Sequence, residues 1–160
     1  MLGIEQEIGD LLRAKRLTLG TVESATGGLI AHRITNVAGS SDYFSGGIIT
    51  YSNGIKTSLA GVPEDLLQKH GAVSAPVAAA MAAGGRKTLG VDICVSVTGI
   101  AGPGGATARK PVGLFFVGLA HGDFLESRKV QFSGSREANK TQASDTTLQW
   151  LLSFLRELKS

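Results

Sequence analysis

Ser24, Tyr51 and Lys56 are the residues of this 160-residue chain whose types and settings are best suited to chemistry. A serine activated by a lysine supports acyl transfer without a histidine. Lysine acts as a general base only when burial or a nearby positive charge lowers its pKa. A tyrosine beside it can relay a proton or hold the lysine in place. Each of the three also has a plainer reading. Ser24 suits a helix cap, Tyr51 a strand end and Lys56 a solvated surface.

Both stretches that carry these residues are glycine-rich. The first is Glu23-Ser24-Ala25-Thr26-Gly27-Gly28 and the second Gly46-Gly47-Ile48-Ile49-Thr50-Tyr51-Ser52-Asn53-Gly54-Ile55-Lys56. A third, Val97-Thr98-Gly99-Ile100-Ala101-Gly102-Pro103-Gly104-Gly105, carries no such group but offers backbone N–H donors. It lacks the closing Gly-Lys-Ser/Thr of a P-loop and the Gly-x-Gly-x-x-Gly spacing. It reads either as an anion-binding nest or as a flexible connection. Helix N-termini hold anions, so Thr26, Gly27 and Gly28 are expected to present N–H groups to a ligand. Arg136 opens the last helix, where its charge opposes the dipole, and it reads as a carboxylate or phosphate clamp or as a solvated side chain.

Composition limits the function classes. Hydrophobic residues make up 42% and charged residues 18%, a soluble globular balance. The net charge of +3 is spread along the chain without a basic run, and aromatics are scarce. That favours a small anionic ligand over nucleic acid. His32, His70 and His121 are far apart, and no His or Cys pair has ligand spacing, so no metal or other cofactor is expected. The lone Cys94 lies in an apolar stretch and is expected in the core. With no possible internal disulfide, and neither a signal peptide nor a membrane span legible at the N-terminus, a cytoplasmic protein without membrane contact is expected.

The elements that must position these residues follow from periodicity. Ile4, Ile8, Leu11 and Leu12 mark a first helix, and Leu17–Val22 reads as a strand. A helix is predicted over Thr26–Ile34, a loop over Val37–Asp42, a strand over Tyr43–Tyr51 and a short helix over Asn53–Leu59. Pro63-Glu64-Asp65 starts another helix, and Ser74 caps an alanine-rich one running to about Leu89. That helix suits close packing either inside the domain or against a second copy. Asp92–Thr98 reads as a strand buried on both faces. A long loop over Gly99–Pro111 precedes a hairpin of Val112–Ala120 and Phe124–Phe132, turned by His121-Gly122-Asp123. Ser135 caps the last helix. The expectation is one domain over 1–160, a three-layer α/β/α sandwich with a mixed sheet.

The ordered set of segments resembles the CinA C-terminal domain family, the nicotinamide-nucleotide amidases, in a stand-alone form. The three glycine-rich segments carry the resemblance together with Gly39-Ser40-Ser41, Gly61-Val62-Pro63, His70-Gly71-Ala72-Val73-Ser74 and Lys110-Pro111-Val112-Gly113. It implies hydrolysis of the carboxamide of nicotinamide mononucleotide to nicotinic acid mononucleotide and ammonia, within pyridine-nucleotide salvage. Ser24 would be the nucleophile, Lys56 its base and Tyr51 a supporting hydroxyl. Thr26, Gly27, Gly28, Gly46, Thr98, Gly99, Gly102 and Arg136 would line the substrate site. A homo-oligomer is implied as well. The competing expectation is a non-catalytic nucleotide-binding module tied to competence or DNA repair, and a further one is hydrolysis of another amide-bearing nucleotide. Three positions depart from the family pattern: Ala25 replaces a frequent cysteine, Ser135 an aspartate and Lys140 an arginine.

Overall fold

The computed structural model describes residues 3–159; Met1, Leu2 and Ser160, the outermost positions of the expected unit, lie outside the described residues. Twelve elements follow in order: α1 (Ile4–Lys15), β1 (Leu19–Glu23), α2 (Leu29–Thr35), a 3-10 turn (Ser40–Asp42), β2 (Phe44–Ile49), α3 (Asn53–Ala60), α4 (Glu64–His70), α5 (Ala75–Leu89), β3 (Ile93–Gly99), β4 (Leu114–His121), β5 (Phe124–Gln131) and α6 (Arg136–Glu157). The sheet order is β2-β1-β3-β4-β5. β1 is parallel to both β2 and β3, whereas β4 pairs antiparallel with β3 and β5 antiparallel with β4. The mixed α/β fold expected from the sequence is the fold observed.

Helices cover both faces of the sheet. Leu19, Ile93, Val95 and Val97 point into one apolar layer with Ile8 and Leu12 of α1, Ile30 of α2 and Leu148 and Leu151 of α6. Val22 and Cys94 point the other way, against Val77 and Met81 of α5, Ala60 of α3 and Leu67 of α4. β3 therefore has no solvated face, which explains its lack of polar alternation. Burial pushes the Cys94 thiol up to about 12, so it is a core hydrophobe as expected.

Small residues on α5 set the spacing of the second layer. A Cβ on Gly85 would fall 2.1 Å from Val22, and one on Gly84 would fall 1.6 Å from the Ala60 carbonyl oxygen of α3. The Ser96 hydroxyl of β3 donates to the Ala78 carbonyl at 2.6 Å. The alanine- and glycine-rich face of α5 is thus used inside the domain.

Several boundaries differ from the sequence reading for local reasons. α2 begins at Leu29 rather than Thr26, because Gly27 and Gly28 take left-handed φ values of 63° and 102° that a helix cannot continue. The expected loop over Val37–Asp42 contains the 3-10 turn. Ser74 precedes α5, but its hydroxyl donates to the Gly71 carbonyl instead of capping the helix. Ser135 does cap α6, accepting from the Ala138 N–H. The hairpin turn is one residue shorter than expected: His121 pairs with Phe124 across Gly122-Asp123.

Gly84→Ala tests the α3–α5 contact. It is expected to lower stability by about 1–3 kcal/mol through overpacking, read as a shift of the urea midpoint at unchanged slope.

Candidate active site

The carboxyl ends of the three parallel strands meet at one edge of the domain. Ser24 follows β1, Thr50 and Tyr51 follow β2, and Thr98 and Gly99 end β3. β1 leads to β2 on one side while β3 pairs on its other side, so the strand order reverses there. Open α/β sheets bind ligands in the crevice at such a switch point. A cleft of about 280 Å³ lies here, with Ser24, Lys56, Tyr51, Thr98, Gly102 and Arg136 among its lining residues.

Lys56 is brought in by α3. Ser52 caps that helix by accepting from the Ile55 N–H at 3.2 Å, which fixes its first turn. Lys56 is then directed inward and is only 2% exposed. Its Nζ donates to the Thr50 carbonyl at 2.8 Å and stands 3.1 Å from the Ser24 Oγ. No carboxylate pairs with it among the described residues. Desolvation without a counter-ion lowers its pKa from the ordinary 10.5 and favours the neutral amine. A neutral amine keeps two N–H donors and one lone pair. One N–H satisfies Thr50, and the lone pair can receive the Ser24 hydroxyl proton.

Ser24 is therefore not a helix cap. Its own N–H donates to the Val97 carbonyl of β3, which ties it to the switch point. The cap of α2 comes from Glu23, whose carboxylate accepts from the Thr26 hydroxyl at 2.7 Å and from the Ile30 and Ala31 N–H groups at 2.9 and 3.0 Å. Gly28, at the N-cap position, has no side chain to do this. The fully enclosed Glu23 charge is thus held by three donors, and the turn bearing Ser24 is clamped between strand end and helix start. Within that turn the Gly27 N–H returns to the Ser24 carbonyl, while the Ala25 and Thr26 N–H groups have no acceptor among the described residues.

The cleft mouth is spanned by Arg136. Its Nη1 donates to the Gly102 carbonyl at 2.8 Å and its Nη2 donates to the Tyr51 hydroxyl oxygen at 3.0 Å. Tyr51 is exposed and reaches the arginine, not the lysine. Thr98 is enclosed, and its hydroxyl donates to the Ala72 carbonyl of the opposite wall at 2.9 Å.

The structure thus brings together Ser24, Tyr51, Lys56, Thr98, Gly99, Gly102 and Arg136. It does not bring the other expected substrate residues to this cleft. Gly27 and Gly28 line a separate cavity beside α2 and β2. Thr26 spends its hydroxyl on Glu23. Gly46 pairs with Gly20 inside the sheet, beneath Leu89. Sequence reasoning missed the capping role of Glu23, although an acid directly before a serine and a run of glycines was a visible signal. It also missed Asn139 of α6, which lies behind the cleft wall. Among the described residues no three His, Cys, Asp or Glu side chains gather as a metal-ligand set, and no helix is long and apolar enough to cross a membrane.

The fold and the enclosed serine–lysine pair define an α/β domain with an active-site-like crevice at its switch point. Comparison with known proteins narrows this class. Residues 2–155 match the family described as CinA C-terminal domain. The chain is 49% identical over 148 residues to a CinA-like protein of Geobacter sulfurreducens, covering 92% of this chain and 36% of that protein. It is 47% identical over 157 residues to a CinA-like protein of Geotalea uraniireducens, covering 98% and 37%. The crystal structure of the competence damage-inducible protein A from Klebsiella pneumoniae superposes with a TM-score of 0.94 at 28% identity, covering 98% of this chain and 97% of that one. The chain belongs to the CinA C-terminal domain family. It spans a little over a third of the length of the curated relatives it matches.

Two variants test the electrostatics. Glu23→Gln keeps one acceptor oxygen but turns the other into an NH2 that faces at least one of the three donors, and is expected to cost about 1–3 kcal/mol of stability in urea unfolding. Lys56→Met tests the depressed lysine pKa. Between that depressed value and 10.5 the unfolded chain binds a proton that the native state does not. Wild-type stability therefore gains with rising pH in this window. The stability of Lys56→Met relative to wild type is expected to be greatest on the acid side of this window and to fall as pH rises towards 10.5, measured by urea unfolding at each pH.

Proposed function

We propose that this domain hydrolyses the carboxamide of a small anionic nucleotide by a serine–lysine mechanism, with nicotinamide mononucleotide as the substrate that the family resemblance implies. The observation that carries the reading is the enclosed Lys56 Nζ, 3.1 Å from the Ser24 Oγ and without a counter-ion among the described residues. A lysine with a purely structural role is normally solvated or paired.

In this reading the neutral Lys56 amine takes the Ser24 proton as Oγ attacks the amide carbon. Negative charge develops on the former carbonyl oxygen. The Ala25 N–H, adjacent to the nucleophile in the cleft lining and without an acceptor among the described residues, is suited to receive it, such a donor being worth about 3 kcal/mol of barrier. As the C–N bond breaks, the Lys56 ammonium returns the proton to the departing nitrogen and ammonia leaves. The ester on Ser24 is then cleaved by water, which gives a proton to Lys56, and the proton passes back to Ser24 as the acid departs. Arg136 and the N–H groups of the 102–105 segment offer positive potential to the nucleotide phosphate. The Tyr51 hydroxyl accepts from Arg136, so its own proton is free for substrate.

The test is ammonia release from nicotinamide mononucleotide by the purified chain. Ser24→Ala is expected to fall to background, and Lys56→Ala to fall by about 10²–10⁴-fold. The wild-type rate is expected to rise with pH as Lys56 deprotonates below its ordinary range. Full activity in Ser24→Ala would refute the mechanism. Nucleotide binding without turnover by the wild type would favour a binding module.

A further inference from the structure

A single enclosed amide supports the glycine-rich wall of the cleft from behind. Asn139 lies in the first turns of α6 and is fully buried. Its Oδ1 accepts from the Gly134 N–H at 2.9 Å, and its Nδ2 donates to the Ala101 carbonyl at 3.0 Å. Arg136, three residues earlier on the same helix, donates to the next carbonyl, Gly102. Two successive carbonyls of the wall therefore hang on two side chains of α6. The two attachments differ in kind. Arg136 is exposed, and water can replace its bond, whereas the Asn139 bond is sealed from solvent. One end of the side chain must accept and the other donate, which the uncharged amide does.

We propose that Asn139 is a positioning residue for the substrate site. It fixes the 101–105 wall against α6 and sets the helix so that Arg136 meets both Gly102 and Tyr51 across the cleft mouth. This rests on the reading of the cleft as a nucleotide site. Asn139 makes no hydrogen bond to Ser24 or Lys56, which are carried by β1 and α3. Its loss should weaken substrate capture and spare the chemical step.

The test compares Asn139→Ala and Asn139→Asp with wild type in nicotinamide mononucleotide hydrolysis. Asn139→Asp retains the shape and the acceptor for Gly134 but not the donor to Ala101. Both are expected to raise KM about tenfold, the size of one lost hydrogen bond, with kcat within about twofold and an unchanged pH profile of kcat. A purely structural role would lower the folded fraction and leave KM alone. Gly134→Ala provides a variant that keeps the buried amide. Its Cβ would fall 3.3 Å from the Asn139 Oδ1 and 2.8 Å from Ala138, so it crowds the same anchor from the solvent side. It is expected to raise KM about threefold, a fraction of one hydrogen bond. Limited trypsin cleavage at Arg109, in the loop that continues from the wall, should be several-fold faster in all three variants. Wild-type KM together with a wild-type cleavage rate in any folded variant overturns the proposal. If the wild type releases no ammonia, the amidase reading falls by itself, and cleavage at Arg109 decides alone whether Asn139 holds the wall.

Discussion

The enclosure of the Lys56 amine is the constraint on which the rest of the site depends. A lysine taken out of water without a counter-ion must shed its proton or be destabilising, and either course demands that every remaining donor find an acceptor. The Thr50 carbonyl accepts one N–H, and the Ser24 hydroxyl, able to accept or donate, stands within hydrogen-bond distance of the same nitrogen. Both lie just past strand ends, so their positions are set by the sheet. Lys56 is carried on a helix outside the sheet, so its own position is set by packing. The absence of side chains at Gly84 and Gly85 lets α5 approach both α3 and β1, which fixes the helix that carries the lysine against the sheet.

Charge is sorted across the crevice in the same spirit. The acid nearest the nucleophile, Glu23, is consumed by backbone and hydroxyl donors and does not neutralise the lysine. The guanidinium at the mouth, Arg136, is held by a carbonyl and a phenol oxygen, neither of which cancels its charge. A buried amine biased towards its neutral form next to a serine, N–H groups beside it without acceptors among the described residues and a cation at the entrance without a carboxylate partner among them together make a site that favours negative charge.

Much of the fold was legible because its signals are local. The doubly buried β3, the capped α6, the amphipathic α1 and the hairpin all follow from periodicity and turn chemistry over a few residues. Boundaries shifted where the cap was not the residue expected. The start of α2 moved because Gly27 and Gly28 take left-handed φ values, with Glu23 capping the helix from the preceding strand, and Ser74 turned its hydroxyl to Gly71. The site residues divide in the same way. Ser24, Lys56 and Arg136 carry distinctive chemistry and were recognisable by type. Glycine reports only that the backbone is free to bend or to be approached, not by what. Gly46 and Gly47 are approached by Leu89 and Thr21 within the fold, and Gly28 by Ile49. Asn139 left no signal, since an asparagine in a helix is ordinary until its partners are known.

The sequence by itself determined the elements, their order, the class of sheet, the family and the nucleophile–base candidates, because each is written in residue type and short-range spacing. Tertiary structure decided which of the glycine-rich segments share a cleft, that Tyr51 answers to Arg136 and not to Lys56, that Glu23 clamps the nucleophile turn, and that Lys56 loses its solvent. Apart from the Glu23 clamp, whose partners lie three to eight positions on, those outcomes depend on groups from 26 to 85 positions apart. Desolvation and hydrogen-bond partnership are properties of the packed surroundings, and no single stretch of chain contains them.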